Sequence, residues 1–164
     1  MNSDPGTYAL ILEAPQPMSV CVGRVGTIIF MSGFYIYAGS ARGPGGLKAR
    51  VARHLRTRKQ CHWHIDYLST RIPVVEVWYS YHDRSNECQW AAALRANKQQ
   101  YEEVPGLGAS DCSCSSHLFF SGKSPSQNDF RASLGHESMA ISVMKPVLSS
   151  LTESHQPQHQ GNFD

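Results

Sequence analysis

Residues 33–59 read Gly-Phe-Tyr-Ile-Tyr-Ala-Gly-Ser-Ala-Arg-Gly-Pro-Gly-Gly-Leu-Lys-Ala-Arg-Val-Ala-Arg-His-Leu-Arg-Thr-Arg-Lys. The first seven are aromatic and β-branched residues between glycines, the pattern of a strand. Gly43-Pro44-Gly45-Gly46 then breaks the chain, and a helix is expected from about Leu47 to Arg58. At about 100° per residue, Leu47, Val51 and Leu55 share one stripe, which must face a core. His54 lies on the same inward side. Arg50 stands at the edge of the stripe, and Arg53 and Arg56 point away from it. The stretch therefore reads as a strand handed to a cationic helix.

The rest of the chain extends this pattern in both directions. Thr7–Glu13 reads as a strand, and Ser19–Gly23 and Thr27–Phe30 as two more joined by a tight turn. After the helix come a second short helix over His62–Ser69 and a strand over Val74–Tyr81. A helix capped by Ser85 then runs to about Lys98, followed by a last short strand over His117–Phe120. The early strands are too close together for parallel crossovers. The expected class is α/β in the α+β sense: a small mixed, mainly antiparallel sheet flanked by helices. Beyond Phe120 turn formers replace periodicity, the apolar stretch Ser138–Leu151 is interrupted by Pro146, and the end is polar. Residues 1–120 are expected to be the domain and 121–164 a largely disordered, low-complexity tail.

The chain has 164 residues, 41% of them hydrophobic and 17% charged, enough for one core without disulfides. No apolar run approaches the roughly 18 residues of a membrane span, and no basic-then-apolar leader is visible. A cytoplasmic protein without a membrane partner is the expectation. The formal net charge of +2 hides an asymmetry, since residues 1–120 carry 12 Lys and Arg against 9 Asp and Glu. Seven of those bases lie between Arg42 and Lys59 with no acid among them. Such a local cation attracts polyanions. A glycine-rich turn feeding a helix also predicts exposed backbone N–H groups, which suit a phosphate.

Gly6-Thr7-Tyr8 on the first strand and Tyr37-Ala38-Gly39 on a later one are followed by Arg50 and His54 on the helix and by Glu87 on a later helix. This pattern resembles the GIY-YIG nuclease superfamily, with Thr7 and Ala38 at two packing positions. Cys61-His62-Trp63-His64-Ile65-Asp66-Tyr67-Leu68 and residues 106–119 look like an uncharacterised prokaryotic branch of it. Members of that branch also occur fused to endonuclease III-type DNA glycosylases. Superfamily members commonly add a supporting Asn near the end of the domain, where Ser110 or Asp111 stands closest here.

The resemblance implies a metal-dependent endonuclease that hydrolyses DNA phosphodiester bonds, with a place in DNA repair, and DNA is the expected partner ahead of RNA. Tyr8 would take or relay a proton from water, which near neutrality requires cations to depress its pKa. Tyr37 would bond the nucleophile or the phosphate. Arg50 would hold the phosphate, His54 would orient it or shuttle a proton, and Glu87 would bind Mg²⁺ or Mn²⁺. Arg42, Arg53, Arg56, Arg58, Lys59, His62, His64 and His117 would line the nucleic-acid groove, with Trp63 and Asp66 at its flank. Two alternatives remain open. One is a binding module of the same fold without catalysis. The other, less favoured, is a zinc-stabilised interaction domain using Cys61, His64, Cys112, Cys114 and His117, with Cys21 and Cys88 as small buried apolar residues.

Overall fold

A computed structural model describes residues 1–82, 86–109, 112–135 and 140–146. Its central strand is β1 (Gly6–Ala14), buried at every position except Glu13. The run Tyr-Ala-Leu-Ile-Leu needs apolar cover on both faces, as a central strand of a sheet with helices on each face has. Those neighbours are β4 (Gly33–Ala41) and β5 (Val74–Tyr81), both antiparallel to it. The sheet continues through β7 (Leu118–Ser121) to β6 (Glu102–Glu103) on one side, and to β8 (Ser142–Met144) on the other. The six strands run β6-β7-β4-β1-β5-β8, and β2 (Met18–Val22) and β3 (Gly26–Phe30) form a separate hairpin. The expected α+β class is what the chain adopts.

Alternation along β1 divides the core in two. Tyr8, Leu10 and Leu12 point to the face covered by α1 (Gly46–Leu55) and α2 (His64–Ser69), packing with Leu47, Val51, Ile65 and Leu68. Ala9 and Ile11 point the other way, beneath α3 (Glu87–Ala96) and α4 (Gln127–Ser133).

Three boundaries differ from the expectation. The fold does not stop at Phe120, because α4 and β8 pack on the same sheet. Phe130 is 1% exposed and stacks on Trp78 at 5.2 Å between ring centroids. One large apolar side chain in a polar stretch gives no periodic signal, so its burial depends on a tryptophan face supplied by β5. Residues 142–144, expected within the disordered tail, are instead extended against Val77–Tyr79. The remainder of the expected tail, 136–139 and 147–164, lies outside the described residues, as does Ser85. The residue at the N-cap position of α3 is Asn86. No helix of the described residues is long and apolar enough to cross a membrane.

The start of α1 also departs from expectation. Gly46 adopts φ +51°, and a Cβ there would meet the carbonyl oxygens of Ser3 and Asp4. This close approach lets Leu47 N–H donate to the Asp4 carbonyl and Lys48 N–H to the Asn2 carbonyl, each at 3.0 Å. Gly46 N–H donates to the Gly43 carbonyl. The amides expected to receive a phosphate are thus occupied by the chain's first residues.

Candidate active site and metal cluster

Strand register brings the first two candidate residues together. Tyr8 stands opposite Gly39 and Leu10 opposite Tyr37, so Tyr8 and Tyr37 are diagonal neighbours on one face. A Cβ on Gly39 would lie 2.6 Å from the Tyr8 hydroxyl, which explains the glycine: the phenol lies across that backbone. Both tyrosines line a cleft of about 170 Å³.

The helices supply the remaining walls. Arg50, on the cleft side of α1, places its guanidinium 4.2 Å from the ring centroid of Trp63, the residue before α2. An indole face holds a planar cation by electrostatic attraction and fixes its direction. Glu87 reaches the cleft from α3, which covers the opposite face of the sheet. It does so because the Asn86 amide donates to Thr7 Oγ1 at 3.0 Å. Thr7 is fully buried beside Tyr8 in sequence. Beyond packing, it therefore anchors the start of α3 to β1.

A polar chain runs inward from the cleft. The Tyr8 hydroxyl lies 2.9 Å from His54 Nε2, and His54 Nδ1 lies 3.4 Å from Asp66 Oδ1. The carboxylate favours the tautomer with hydrogen on Nδ1, leaving Nε2 to accept from the phenol. His54 and Asp66 are both buried. Asp66 Oδ2 accepts from Arg53 Nη2 at 2.9 Å and from the amides of His62 and Trp63 at 2.9 and 3.1 Å, while Lys59 Nζ is 3.1 Å from Oδ1.

Burial alone would raise the Asp66 pKa; bonds from His54, the two amides and Lys59 outweigh it and hold the carboxyl well below the usual carboxylate range. Burial holds His54 below the ordinary histidine value, against the pull of Asp66. Burial, reinforced by Tyr37, holds Tyr8 well above the ordinary phenol value, and the opposing pull of Arg50 is too small to reverse it. The expected depression of Tyr8 by cations is therefore absent from the protein's own charges. A neutral histidine sits behind a protonated phenol.

The structure sorts the other candidates. Tyr8, Tyr37, Arg50, Glu87, His62, His64 and His117 all line the cleft, and His54 lies one layer behind it. His64 Nδ1 also accepts from the Gly108 amide, tying the loop before β7 to α2. Arg42, Arg56 and Arg58 are exposed, away from the cleft. Two groove assignments need correction. Lys59 has a side chain only 3% exposed, with Nζ bonded to Asp66, Ser69 Oγ and the His54 carbonyl. Arg53, expected to point to solvent, turns back onto Asp66 and the Trp63 ring. In both cases a buried carboxylate, invisible to helical periodicity, draws the cation inward. Asp66, expected at the flank of the groove, lies beneath it. Ser110 and Asp111 fall outside the described residues.

A second constellation adjoins the cleft. Cys88, Cys112, Cys114 and His117 present one ligand atom each, all within 4.8 Å of one another, a group able to hold a metal ion. Cys88, expected as a buried apolar residue, belongs to it; Cys61 and His64 do not. The missed signal was the position of Cys88 directly after Glu87.

No curated protein and no solved structure matches the chain. The sequence model of one protein family does, over residues 7–140, from within β1 to just before β8. With most of its length matched, the chain belongs to the family described as domain of unknown function DUF123.

Proposed function

We propose that the chain is a GIY-YIG-type, metal-dependent endonuclease acting on DNA phosphodiester bonds, in the service of DNA repair. One observation carries the reading: Tyr8, Tyr37, Arg50 and Glu87, from four separate elements, face a single cleft. Arg50, oriented by Trp63, suits a phosphate oxygen. As water attacks phosphorus, Tyr8 takes the water's proton while its own proton passes to His54 Nε2. Asp66 then stabilises the imidazolium that results. The leaving oxygen takes its proton from solvent. Glu87 is half-buried at the rim, and one carboxylate from the protein suits Mg²⁺ or Mn²⁺, which retain much of their water. When bound, that ion supplies charge neutralisation at the phosphoryl oxygens. Arg42, Arg56 and Arg58 give the surface beside α1 a positive field for the DNA backbone.

The test is plasmid nicking with Mg²⁺ or Mn²⁺. The wild type is expected to nick, and Glu87→Gln and Arg50→Ala to fail. Cleavage unchanged by both substitutions would remove the assignment. A second reading, a module that binds nucleic acid without cleaving it, is favoured by the high pKa of Tyr8. It predicts salt-sensitive DNA binding and no metal-dependent nicking.

A further inference from the structure

Cys88 lies in the first turn of α3, Cys112 and Cys114 in the loop that precedes β7, and His117 immediately before that strand. The backbone thus brings ligands from two segments, 29 residues apart at the widest, to one point. Cys88 Sγ is 3.8 Å from His117 Nε2, and Cys112 Sγ is 3.4 Å from the same nitrogen. A tetrahedral zinc ion with Zn–S of about 2.3 Å and Zn–N of about 2.0 Å requires sulfur–nitrogen edges of about 3.5 Å and sulfur–sulfur edges of about 3.8 Å. The two sulfur–nitrogen edges are close to that length, and all four ligand atoms lie within 4.8 Å of one another. Cys21 on β2 and Cys61 ahead of α2 are not part of it.

We propose that Cys88, Cys112, Cys114 and His117 bind one structural Zn²⁺. Three thiolates and an imidazole select zinc over the harder magnesium, and four protein ligands close the site to substrate. The ion joins the start of α3 to the loop ahead of β7. These are the segments that bring Glu87 and His117 to the cleft, with Cys112 itself in the cleft wall. Zinc here is a staple for that wall, separate from any ion at Glu87. The assignment does not depend on the endonuclease reading.

The experiment is elemental analysis of the full chain, purified without chelator. One zinc per chain is expected in the wild type and in Cys21→Ser/Cys61→Ser. Cys88→Ser/Cys114→Ser is expected to lose it. Should that double variant fail to fold, the wild type reconstituted with Co²⁺ gives an independent reading. Visible bands of a tetrahedral ion with thiolate charge transfer, and X-ray absorption showing three sulfurs and one nitrogen, would support the site. A wild type that takes up no zinc on reconstitution would overturn it. So would zinc retained by folded Cys88→Ser/Cys114→Ser, or a disulfide among these thiols in the intact mass of the purified chain.

Discussion

The hydroxyl of Tyr8 and Nε2 of His54 lie 2.9 Å apart, joining β1 to α1 across 46 residues of sequence. The contact gives a buried phenol a buried, neutral base, and through His54 it leads from the Tyr8 hydroxyl towards Asp66. Tyr8→Phe removes the donor while keeping the ring. Loss of one buried hydrogen bond should cost about 1–3 kcal/mol in urea unfolding. Nicking should fall about 10²–10⁴-fold, the range for a lost proton-transfer group. A folded Tyr8→Phe with wild-type nicking would dismiss the relay.

Asp66 holds the cluster together more than any single base does. Asp66→Ala leaves Lys59, Arg53 and two backbone amides without their common acceptor. Breaking a buried ion pair on one side costs about 3–5 kcal/mol. Thermal unfolding of Asp66→Ala should show a loss of that order, whereas Arg56→Ala, on an exposed side chain, should change little.

Acid should weaken the fold through the same residues. His54 is held below its ordinary value, so as pH falls below about 6.5 the unfolded chain takes up that proton first. Asp66 is depressed as well; its contribution is intact above about pH 4 and is lost as pH falls towards its lower folded value. Tyr8, Tyr37, Arg50, Arg53 and Lys59 face this pair from β1, β4 and α1 with its following loop. Urea midpoints should decline below about pH 6.5 and more steeply below about pH 4. His54→Gln should flatten the upper part of that decline; an unchanged upper slope would contradict it.

Thr7→Val tests the anchor of α3. It keeps volume but leaves the Asn86 amide without its acceptor, at a cost of about 1 kcal/mol. The Mg²⁺ concentration needed for half-maximal nicking should rise, because Glu87 adjoins the freed position. Unaltered metal dependence would show that α3 is positioned by its apolar face alone.

Gly46→Ala places a Cβ against two carbonyls at positive φ, a conformation that costs a non-glycine residue about 1–2 kcal/mol before any clash. Its melting temperature should fall clearly. Gly122→Ala, with open space around the position, should be nearly neutral.

Strand and helix placement was largely legible in the sequence, because β-branched runs and a 3.6-residue apolar stripe record local burial. Tyr8, Tyr37, Arg50 and Glu87 were legible as a set through their motif spacing, and the cleft does contain all four. Lys59, Arg53 and Asp66 were not. Their roles depend on a carboxylate on α2 meeting cations from α1 and the loop after it, and no periodicity in either segment encodes that meeting.

The sequence alone determined an α+β domain and a concentration of positive charge between Arg42 and Lys59. Only the tertiary structure decided which cations remain outside and which turn inward. It also decided that Phe130 and β8 belong to the fold, and that Asn2 and Asp4 cover the start of α1. The gathering of Cys88, Cys112, Cys114 and His117 was likewise a tertiary outcome. Each of these depends on contacts between segments far apart in the chain, set by strand register and by which sheet face a helix covers. Local patterning reports whether a residue is buried; packing determines what it meets there.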